Sequence, residues 1–189
     1  MQKKTFLYLL LVLSFALFTG CSFIKNAVTA KAPDLNKAFS CEMSISLDDS
    51  TEIKGTMSRY GTNIWEMDLT EPETVAGLHL SYNDSGVSVS LGELGFDIPS
   101  EKINDSAVFE LIFNAIDNFA SLPDAVTTET ETGMEYTGNI SQCSYVLTFD
   151  KDTMALTGIS FPELDLCAEI TSFCDTDTEE TTTTSENNT

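Results

Sequence analysis

The chain has 189 residues, 42% of them hydrophobic, which is enough for one average domain with its own core but not for two. It carries 9 basic and 30 acidic side chains, a formal net charge of −21 at pH 7. Because nucleic-acid binding requires a basic surface that displaces counterions from phosphates, this composition excludes that class of function across the domain.

Residues 1–20 have the three-part organisation of a secretory signal peptide. Lys3 and Lys4 are followed by the apolar run 6–18, and the segment ends in small residues. The apolar run is shorter than the roughly 20 residues that a membrane-spanning helix requires. The pattern therefore predicts an exported chain whose first 20 residues are removed.

Cys21 follows this segment directly, and residues 17–22 read Leu-Phe-Thr-Gly-Cys-Ser. They resemble the lipobox of bacterial lipoproteins, in which a small residue precedes a cysteine that receives diacylglycerol before the signal is cut. Phe18 stands where that family usually has an aliphatic residue. The resemblance implies a lipid anchor of the palmitate type on Cys21, and two or three acyl chains hold a protein durably on a membrane. The alternative is an ordinary signal peptide that happens to precede a cysteine.

Residues 21–38 are expected to form a lipidated linker, or neck, between this anchor and the domain. After Cys21 the neck holds Lys25, Lys31 and Lys37 against Asp34. A lysine near an anionic membrane surface gains roughly 1 kcal/mol, so the neck would lie at the outer face of the bacterial cell membrane. The alternative is a solvated spacer in which the lysines are incidental.

Apolar residues at every second position predict β-strands over most of 39–174. Turn-forming residues such as those at 48–50 and 83–86 link successive strands closely, which predicts an antiparallel sheet. Residues 92–99 are predicted to interrupt the pattern. The predicted strands are 39–47, 51–59, 62–70, 78–82, 87–91, 125–131, 134–140, 143–150, 155–161 and 164–173.

One helix is predicted over 105–121, because apolar residues recur there at helical spacing behind the capping candidates at 104–106. Phe109 and Phe113 widen its apolar stripe, so part of that face either packs under a loop or lines a cavity. Residues 175–189 contain only Asp, Glu, Thr, Ser and Asn, and we expect this acidic, threonine-rich tail to be disordered.

Four cysteines besides Cys21 are candidates for disulfides in an exported protein, and they allow three pairings. Cys41 and Cys143 share the core-facing parity of their strands and could meet, whereas Cys167 lies on a polar parity; Cys174 is the fourth. The alternative is four free thiols. No cysteine spacing is typical of a metal site, and the chain has one histidine, so no metal is expected.

No set of residues in the sequence predicts catalysis. His79 lies within strand 78–82 without a nucleophile motif nearby, and a surface histidine is expected. Gly92 and Gly95 follow a strand, but no helix begins at the distance that a phosphate-binding loop requires. We therefore expect a protein that is not an enzyme and uses no cofactor.

The order of elements over residues 39–173 resembles the LolA and LppX type of lipoprotein-sorting and lipid-carrier proteins. The residues that carry this likeness are Gly55-Thr56-Met57-Ser58-Arg59, Trp65-Glu66-Met67, Glu71-Pro72, Gly77-Leu78 and Tyr82. Tyr60 stands where family members commonly have a proline. The resemblance implies an α+β fold over 39–174, with a strongly curved antiparallel sheet wrapped as an open half-barrel around one main helix.

The expected function is binding of a lipid or other apolar ligand at the membrane surface, with Trp65, Met67, Phe109 and Phe113 lining the concave face. Arg59, the only arginine of the chain, either meets a lipid headgroup at the cavity rim or pairs with a surface carboxylate. The alternative function is a cell-envelope interaction or scaffold lipoprotein with a filled core and no ligand. The expected partners are the membrane and a lipid, and a protein partner is left open.

Overall fold

The computed structural model describes residues 33–47, 51–103, 107–140 and 142–175. These ranges contain eleven strands, one α-helix and two short 3-10 turns, Ser100–Lys102 and Pro162–Leu164. The helix is α1 (Val108–Ala120). The strands are β1 (Phe39–Leu47), β2 (Thr51–Gly61), β3 (Ile64–Glu71), β4 (Leu78–Asn83), β5 (Gly86–Leu91), β6 (Leu94–Pro99), β7 (Thr128–Glu129), β8 (Met134–Ile140), β9 (Cys143–Phe149), β10 (Leu156–Phe161) and β11 (Leu166–Asp175).

All described strands belong to one antiparallel sheet in the order β6-β5-β4-β3-β2-β1-β11-β10-β9-β8-β7. Apart from β6 and β7, strands that follow each other in the chain lie side by side, because short connections return the chain antiparallel to itself. The sheet therefore consists of two meanders, β1–β6 and β7–β11, which the β1–β11 pair joins. It is open, with β6 and β7 at its edges, and α1 connects these two edge strands along the chain.

Alternation of side chains decides which face of each strand meets the core. In β1, Cys41, Met43 and Ile45 are buried while the residues between them are at least partly exposed. In β9, Tyr145 and Leu147 follow the same rule. Since successive strand residues point to opposite faces, each strand contributes one apolar face to a common core.

Helix α1 packs on that core through one face. Leu111, Ile112, Ala115, Ile116 and Phe119 are all at most 2% exposed and recur at helical spacing. The helix ends at Ala120, and the backbone N–H of the next residue, Ser121, donates to the carbonyl of Asp117 at 3.0 Å. The single apolar stripe fixes how the helix is rotated against the sheet.

The same short helix contacts both halves of the sheet. The Phe113 ring lies 5.8 Å from that of Tyr82 in β4, and the Phe119 ring lies 4.9 Å from that of Tyr136 in β8. On a flat sheet, β4 and β8 would be seven strand spacings apart, roughly 34 Å. The two phenylalanines are only about 9 Å apart along the helix axis. These contacts are consistent with a sheet that curves around the helix.

The structure confirms the predicted antiparallel sheet with one helix and corrects two of its elements. The expected break at 92–99 is wrong, because Leu94–Pro99 forms β6, which pairs with β5 across the two-residue turn at 92–93. The predicted strand 125–131 shortens to the two residues of β7. Gly92 has φ +59, the left-handed conformation that such a turn needs and glycine adopts without strain.

Several sequence predictions lie outside the described residues. They concern the signal peptide 1–20, Cys21, most of the neck and the tail after residue 175. In the part of the chain that the structure describes, no helix is long and apolar enough to cross a bilayer.

Candidate ligand-binding cavity

Strands β4, β5 and β6 present one apolar and one polar face. Their register places Tyr82 beside Val87 and Val87 beside Ile98, and directly opposed residues of antiparallel strands project to the same side. The apolar face consists of Leu78, Leu80, Tyr82, Val87, Val89, Leu91, Leu94, Phe96 and Ile98. On the other face Ser88 Oγ donates to Asp97 Oδ1 at 2.6 Å. The apolar face is the one turned toward α1.

A cavity of about 260 Å³ separates this apolar face from the beginning of α1. The sheet contributes Leu80, Tyr82, Val87 and Ile98, the helix and the residue before it contribute Ala107, Phe109, Glu110 and Phe113, and Lys102 and Ile103 complete the lining. Small-molecule pockets have volumes from about 300 Å³ upward and combine apolar walls with a few polar groups. At about 260 Å³ the cavity lies just below that range, and its size and lining suit a single apolar chain.

Among the described residues that line this cavity, polar groups are few. Lys102 is exposed and Glu110 half-buried, and these two supply the charges of the lining. Burial raises the pKa of the Tyr82 hydroxyl, and the negative charges of Glu110 and Asp117 raise it further. Tyr82 therefore stays protonated at neutral pH. An apolar slot with one cation and one anion beside it is equipped to bind and orient a ligand.

Two of the four aromatic and methionine residues predicted to line a concave face do line this cavity. Phe109 and Phe113 are among its walls. Trp65 and Met67 have no exposed surface and lie in the core instead. The indole of Trp65 stacks on the Phe113 ring at 4.8 Å and 11° between planes, so it supports the cavity wall from behind.

Arg59 lies neither at a cavity rim nor beside a surface carboxylate, and this expectation is corrected. Its side chain is 1% exposed and pairs with Asp117 of α1, which is 8% exposed. Arg59 Nη2 lies 2.7 Å and Nε 2.9 Å from Asp117 Oδ1. The guanidinium carbon also lies 5.6 Å from the centre of the Trp65 ring. Because burying a charge without a partner is costly, the pair accounts for the position of both residues.

Further hydrogen bonds complete this buried cluster. Asp117 Oδ2 accepts the indole N–H of Trp65 and the backbone N–H of Asn63, both at 2.9 Å. Arg59 Nη1 donates to the carbonyl of Asn36 at 3.0 Å and more weakly to that of Lys37 at 3.4 Å. The cluster therefore ties β2, the β2–β3 turn, β3 and the segment before β1 to the helix, and its role is structural.

The four cysteines predicted as disulfide candidates are free in the structure. Cys41 is buried, Cys143 is half-buried, and Cys167 and Cys174 are exposed. Burial raises the pKa of the Cys41 thiol to about 12, so it remains protonated and unreactive at neutral pH. The described residues contain no group of three or more His, Cys, Asp or Glu side chains that could hold a metal ion.

His79 lies on the polar face of β4, as a partly exposed histidine that contacts Asp68. Its Nδ1 lies 2.8 Å from Asp68 Oδ1. Neither residue lines the cavity. The prediction of a histidine at the surface is thus in agreement with its position.

Comparisons with known proteins identify similar folds only at low sequence identity. No family model matches the chain, and no curated protein matches it. An uncharacterized conserved protein from Thermus thermophilus is 10% identical, with a TM-score of 0.48 over 76% of this chain and 81% of that one. A LolA superfamily protein from Nitrosomonas europaea is 14% identical, with a TM-score of 0.43 over 78% of this chain and 94% of that one. A DUF1329 family protein from Desulfovibrio piger is 11% identical, with a TM-score of 0.43 over 76% and 87%.

Proposed function

We propose that this chain is a non-enzymatic lipoprotein of the bacterial cell envelope that binds a single acyl chain or similar apolar ligand. The ligand lies in the cavity between the β4–β6 face and the beginning of α1, within a sheet that curves as an open half-barrel. The observation that carries the proposal is the cavity itself, about 260 Å³ with walls formed mainly by aliphatic and aromatic side chains.

The energetics favour an acyl chain as the occupant. Each methylene group removed from water contributes about 0.8 kcal/mol, so even a short stretch of chain yields substantial binding free energy. Lys102 stands beside the cavity and is positioned to meet a carboxylate or phosphate at the end of such a chain. The rest of the lining presents little that would compensate a strongly polar ligand for its loss of water.

The proposed location is the outer face of the cell membrane, with lipid on Cys21 as the anchor. The test is a Cys21→Ser variant expressed in the native host. It is expected to lack the lipid mass and to leave the membrane fraction. A variant that remains membrane-bound with an unchanged mass would contradict the anchor, while the ligand-binding proposal would stand.

Filling the cavity tests the ligand-binding proposal directly. Ala107 lines the cavity and adopts an extended backbone conformation, φ −63 and ψ 129, that phenylalanine also adopts. Ala107→Phe is expected to weaken binding of a fluorescent fatty acid by about tenfold or more. Ala76→Phe, at an exposed position outside the cavity, is the matched control and should bind normally.

Native mass spectrometry of the chain isolated from its host gives the second measurement. We expect co-purifying lipid on the unchanged chain and on Ala76→Phe, and its loss from Ala107→Phe. Equal lipid content in both variants would show that the ligand lies elsewhere.

A scaffold lipoprotein without a ligand is the second candidate, and the filled interior of the sheet favours it. Trp65 and Met67 are completely buried and pack in the core beside the cavity rather than lining an open concave face. Under this alternative, the chain from its host carries no lipid, and Ala107→Phe leaves every interaction of the protein unchanged.

A further inference from the structure

Strand β6 is an edge strand whose outer backbone groups can be identified. It pairs with β5 on one side and has no neighbouring strand on the other among the described residues. Ser100 N–H donates to the Ser85 carbonyl at 3.1 Å, which continues the β5–β6 ladder by one hydrogen-bonded pair. Because such pairs alternate along an antiparallel ladder, Phe96 bonds toward β5. The N–H and C=O groups of Gly95 and Asp97 therefore point to the open edge.

The side chains on this edge are apolar and exposed. Leu94 is 76% and Phe96 61% exposed, and both lie on the face that carries the cavity. Natural edge strands are commonly protected by lysines, inward-pointing charges or bulges. β6 has no lysine, inward-pointing charge or bulge, and its protective features are the charge of Asp97 on the polar face and Pro99 at its end. The strand is thus a template for another strand.

Its sequence is complementary to itself. When two β6 strands pair antiparallel about a two-fold axis, one residue lies opposite its own copy, and we call this residue the centre. Because the backbone groups of Gly95 and Asp97 point outward, the centre can be Gly95, Phe96 or Asp97. A centre on Asp97 sets two Asp97 side chains opposite each other, and a centre on Gly95 sets Asp97 opposite Glu93. A centre on Phe96 instead sets Asp97 opposite glycine and Leu94 opposite Ile98. Like charges directly opposite are destabilising, so charge selects the Phe96 centre.

We propose that β6 is the interface between two copies of this chain, paired antiparallel about Phe96. Gly95 N–H donates to the Asp97 carbonyl of the second copy, and Asp97 N–H donates to the Gly95 carbonyl of that copy. The two-fold axis repeats both bonds. The two Phe96 rings meet at the axis on the apolar face, and the sheet continues from one chain into the other.

The dimer is a weak one, for two reasons. Pairing through one six-residue strand buries much less than the roughly 1,200–2,000 Å² of a stable interface. The full 189-residue sequence also has a formal net charge of −21, and this acidic character opposes association of two copies at long range. Salt screens that repulsion beyond about 10 Å at 0.1 M, so the dimer should tighten as salt is raised. The inference does not depend on the ligand-binding proposal, because neither Gly95 nor Phe96 lines the cavity.

Two opposite charges at one position test the register. A Cβ on Gly95 would come no closer than 3.6 Å to the Val89 carbonyl oxygen, so a side chain fits there. Gly95→Lys sets a cation opposite Asp97 of the second copy, and the two-fold axis creates this ion pair twice. The substitution should lower the dissociation constant of the dimer by a factor of about 2 to 30. Gly95→Asp sets two anions opposite and should weaken the dimer similarly. The dissociation constant is measured by sedimentation equilibrium on the chain as its host processes it.

Cross-linking in the host gives a second measurement on the full chain. Phe96→Cys brings two thiols together at the axis, where opposed Cα atoms of a non-hydrogen-bonded pair lie about 4.5 Å apart, within disulfide range. Ile64→Cys, at a site in β3 that is 48% exposed, is the control, and the unchanged chain shows the background of its own free cysteines. We expect more disulfide-linked dimer for Phe96→Cys than for Ile64→Cys or for the unchanged chain.

Two results would overturn the proposal. The first is a chain that remains monomeric up to about 1 mM, with no added cross-linking of Phe96→Cys. The second is the same shift for Gly95→Lys and Gly95→Asp, because a dimer elsewhere on the surface has no reason to distinguish them. If the chain is instead a monomer that binds lipid vesicles, and Phe96→Cys abolishes this binding, the exposed edge is a membrane contact.

Discussion

The buried carboxylate of Asp117 must accept hydrogen bonds on both oxygens, and Asp117→Asn tests this requirement. Oδ1 accepts from Arg59 and Oδ2 from Trp65 and Asn63. An asparagine presents one oxygen and one NH₂ group. In either orientation of the amide, its NH₂ group faces N–H donors, either those of Arg59 or those of Trp65 and Asn63. The substitution also leaves the Arg59 charge without a counter-ion at 1% exposure.

The expected loss of stability follows from this geometry. Removing one partner of a buried ion pair costs about 3–5 kcal/mol, because the remaining charge stays buried and uncompensated. Domains of this size are stable by about 5–15 kcal/mol, so Asp117→Asn should remove a large share of the unfolding free energy. Asp124→Asn, at an exposed position just after the helix, is the control and should change it by less than about 0.5 kcal/mol.

Urea denaturation measures the effect, with two probes. Trp65 is the only tryptophan, fully buried and bonded to Asp117, so its fluorescence follows the cluster, and circular dichroism follows the sheet. In the Arg59→Met/Asp117→Leu double variant, neither charge of the pair remains buried. Its loss of unfolding free energy should therefore be smaller than the sum of the losses in the single variants Arg59→Met and Asp117→Leu. A loss below about 1 kcal/mol for Asp117→Asn, or strict additivity in the double variant, would refute the assigned role of the cluster.

Three further predictions follow from burial, packing and charge. Because burial raises the pKa of Cys41 from 9.0 to about 12, unfolding releases a proton above pH 9. The unfolding free energy should fall by about 1.4 kcal/mol from this thiol at pH 10, a component that Cys41→Ala lacks in denaturation at pH 8 and 10. Gly138→Ala should cost about 1–3 kcal/mol in thermal unfolding because its Cβ would overlap the Tyr145 ring, whereas Gly61→Ala has room. Lys102→Gln should weaken binding of a fatty acid by about two- to fivefold but leave the matching fatty alcohol unaffected, as competition assays would show.

Strand and helix periodicity predicted most of the fold, because it depends on neighbours in sequence. In β1 and β2 the alternation of buried and exposed residues is regular, and the predicted segments 39–47 and 51–59 match their observed bounds closely. In α1 the apolar residues at helical spacing are the ones that are buried. Local pattern is enough where one face of an element meets the core and the other does not.

Strand β6 was missed because an edge strand gives a mixed signal. Leu94, Phe96 and Ile98 do alternate, but Gly92, Gly95 and the proline at 99 resemble loop punctuation. The two-residue turn at 92–93 between alternating apolar residues was the available signal. Pro99 ends the strand at a position where no ladder bond toward β5 is needed, which is the arrangement proline tolerates in sheets.

The Arg59–Asp117 pair could not be read from spacing, because 58 residues separate its members. One signal was present, since Asp117 follows Phe113 by four residues and precedes Ala120 by three, on the apolar stripe of the helix. A buried acid on an apolar stripe needs a partner, and Arg59 is the only arginine of the chain. The cavity depends instead on how far the helix covers the β4–β6 face, which is a tertiary property.

The proposed dimer and the proposed ligand share one residue, so each should influence the other. In the Phe96-centred register, Leu94 of one copy faces Ile98 of the other, and Ile98 is part of the cavity wall. A second copy would therefore extend the apolar surface next to the ligand and hold Ile98 in place. If a fatty acid tightens the dimer by some factor, dimerisation must tighten fatty-acid binding by the same factor. Sedimentation equilibrium with and without saturating fatty acid measures this coupling, and we expect a tighter dimer with ligand; an unchanged dissociation constant would show that Ile98 transmits nothing between the two sites.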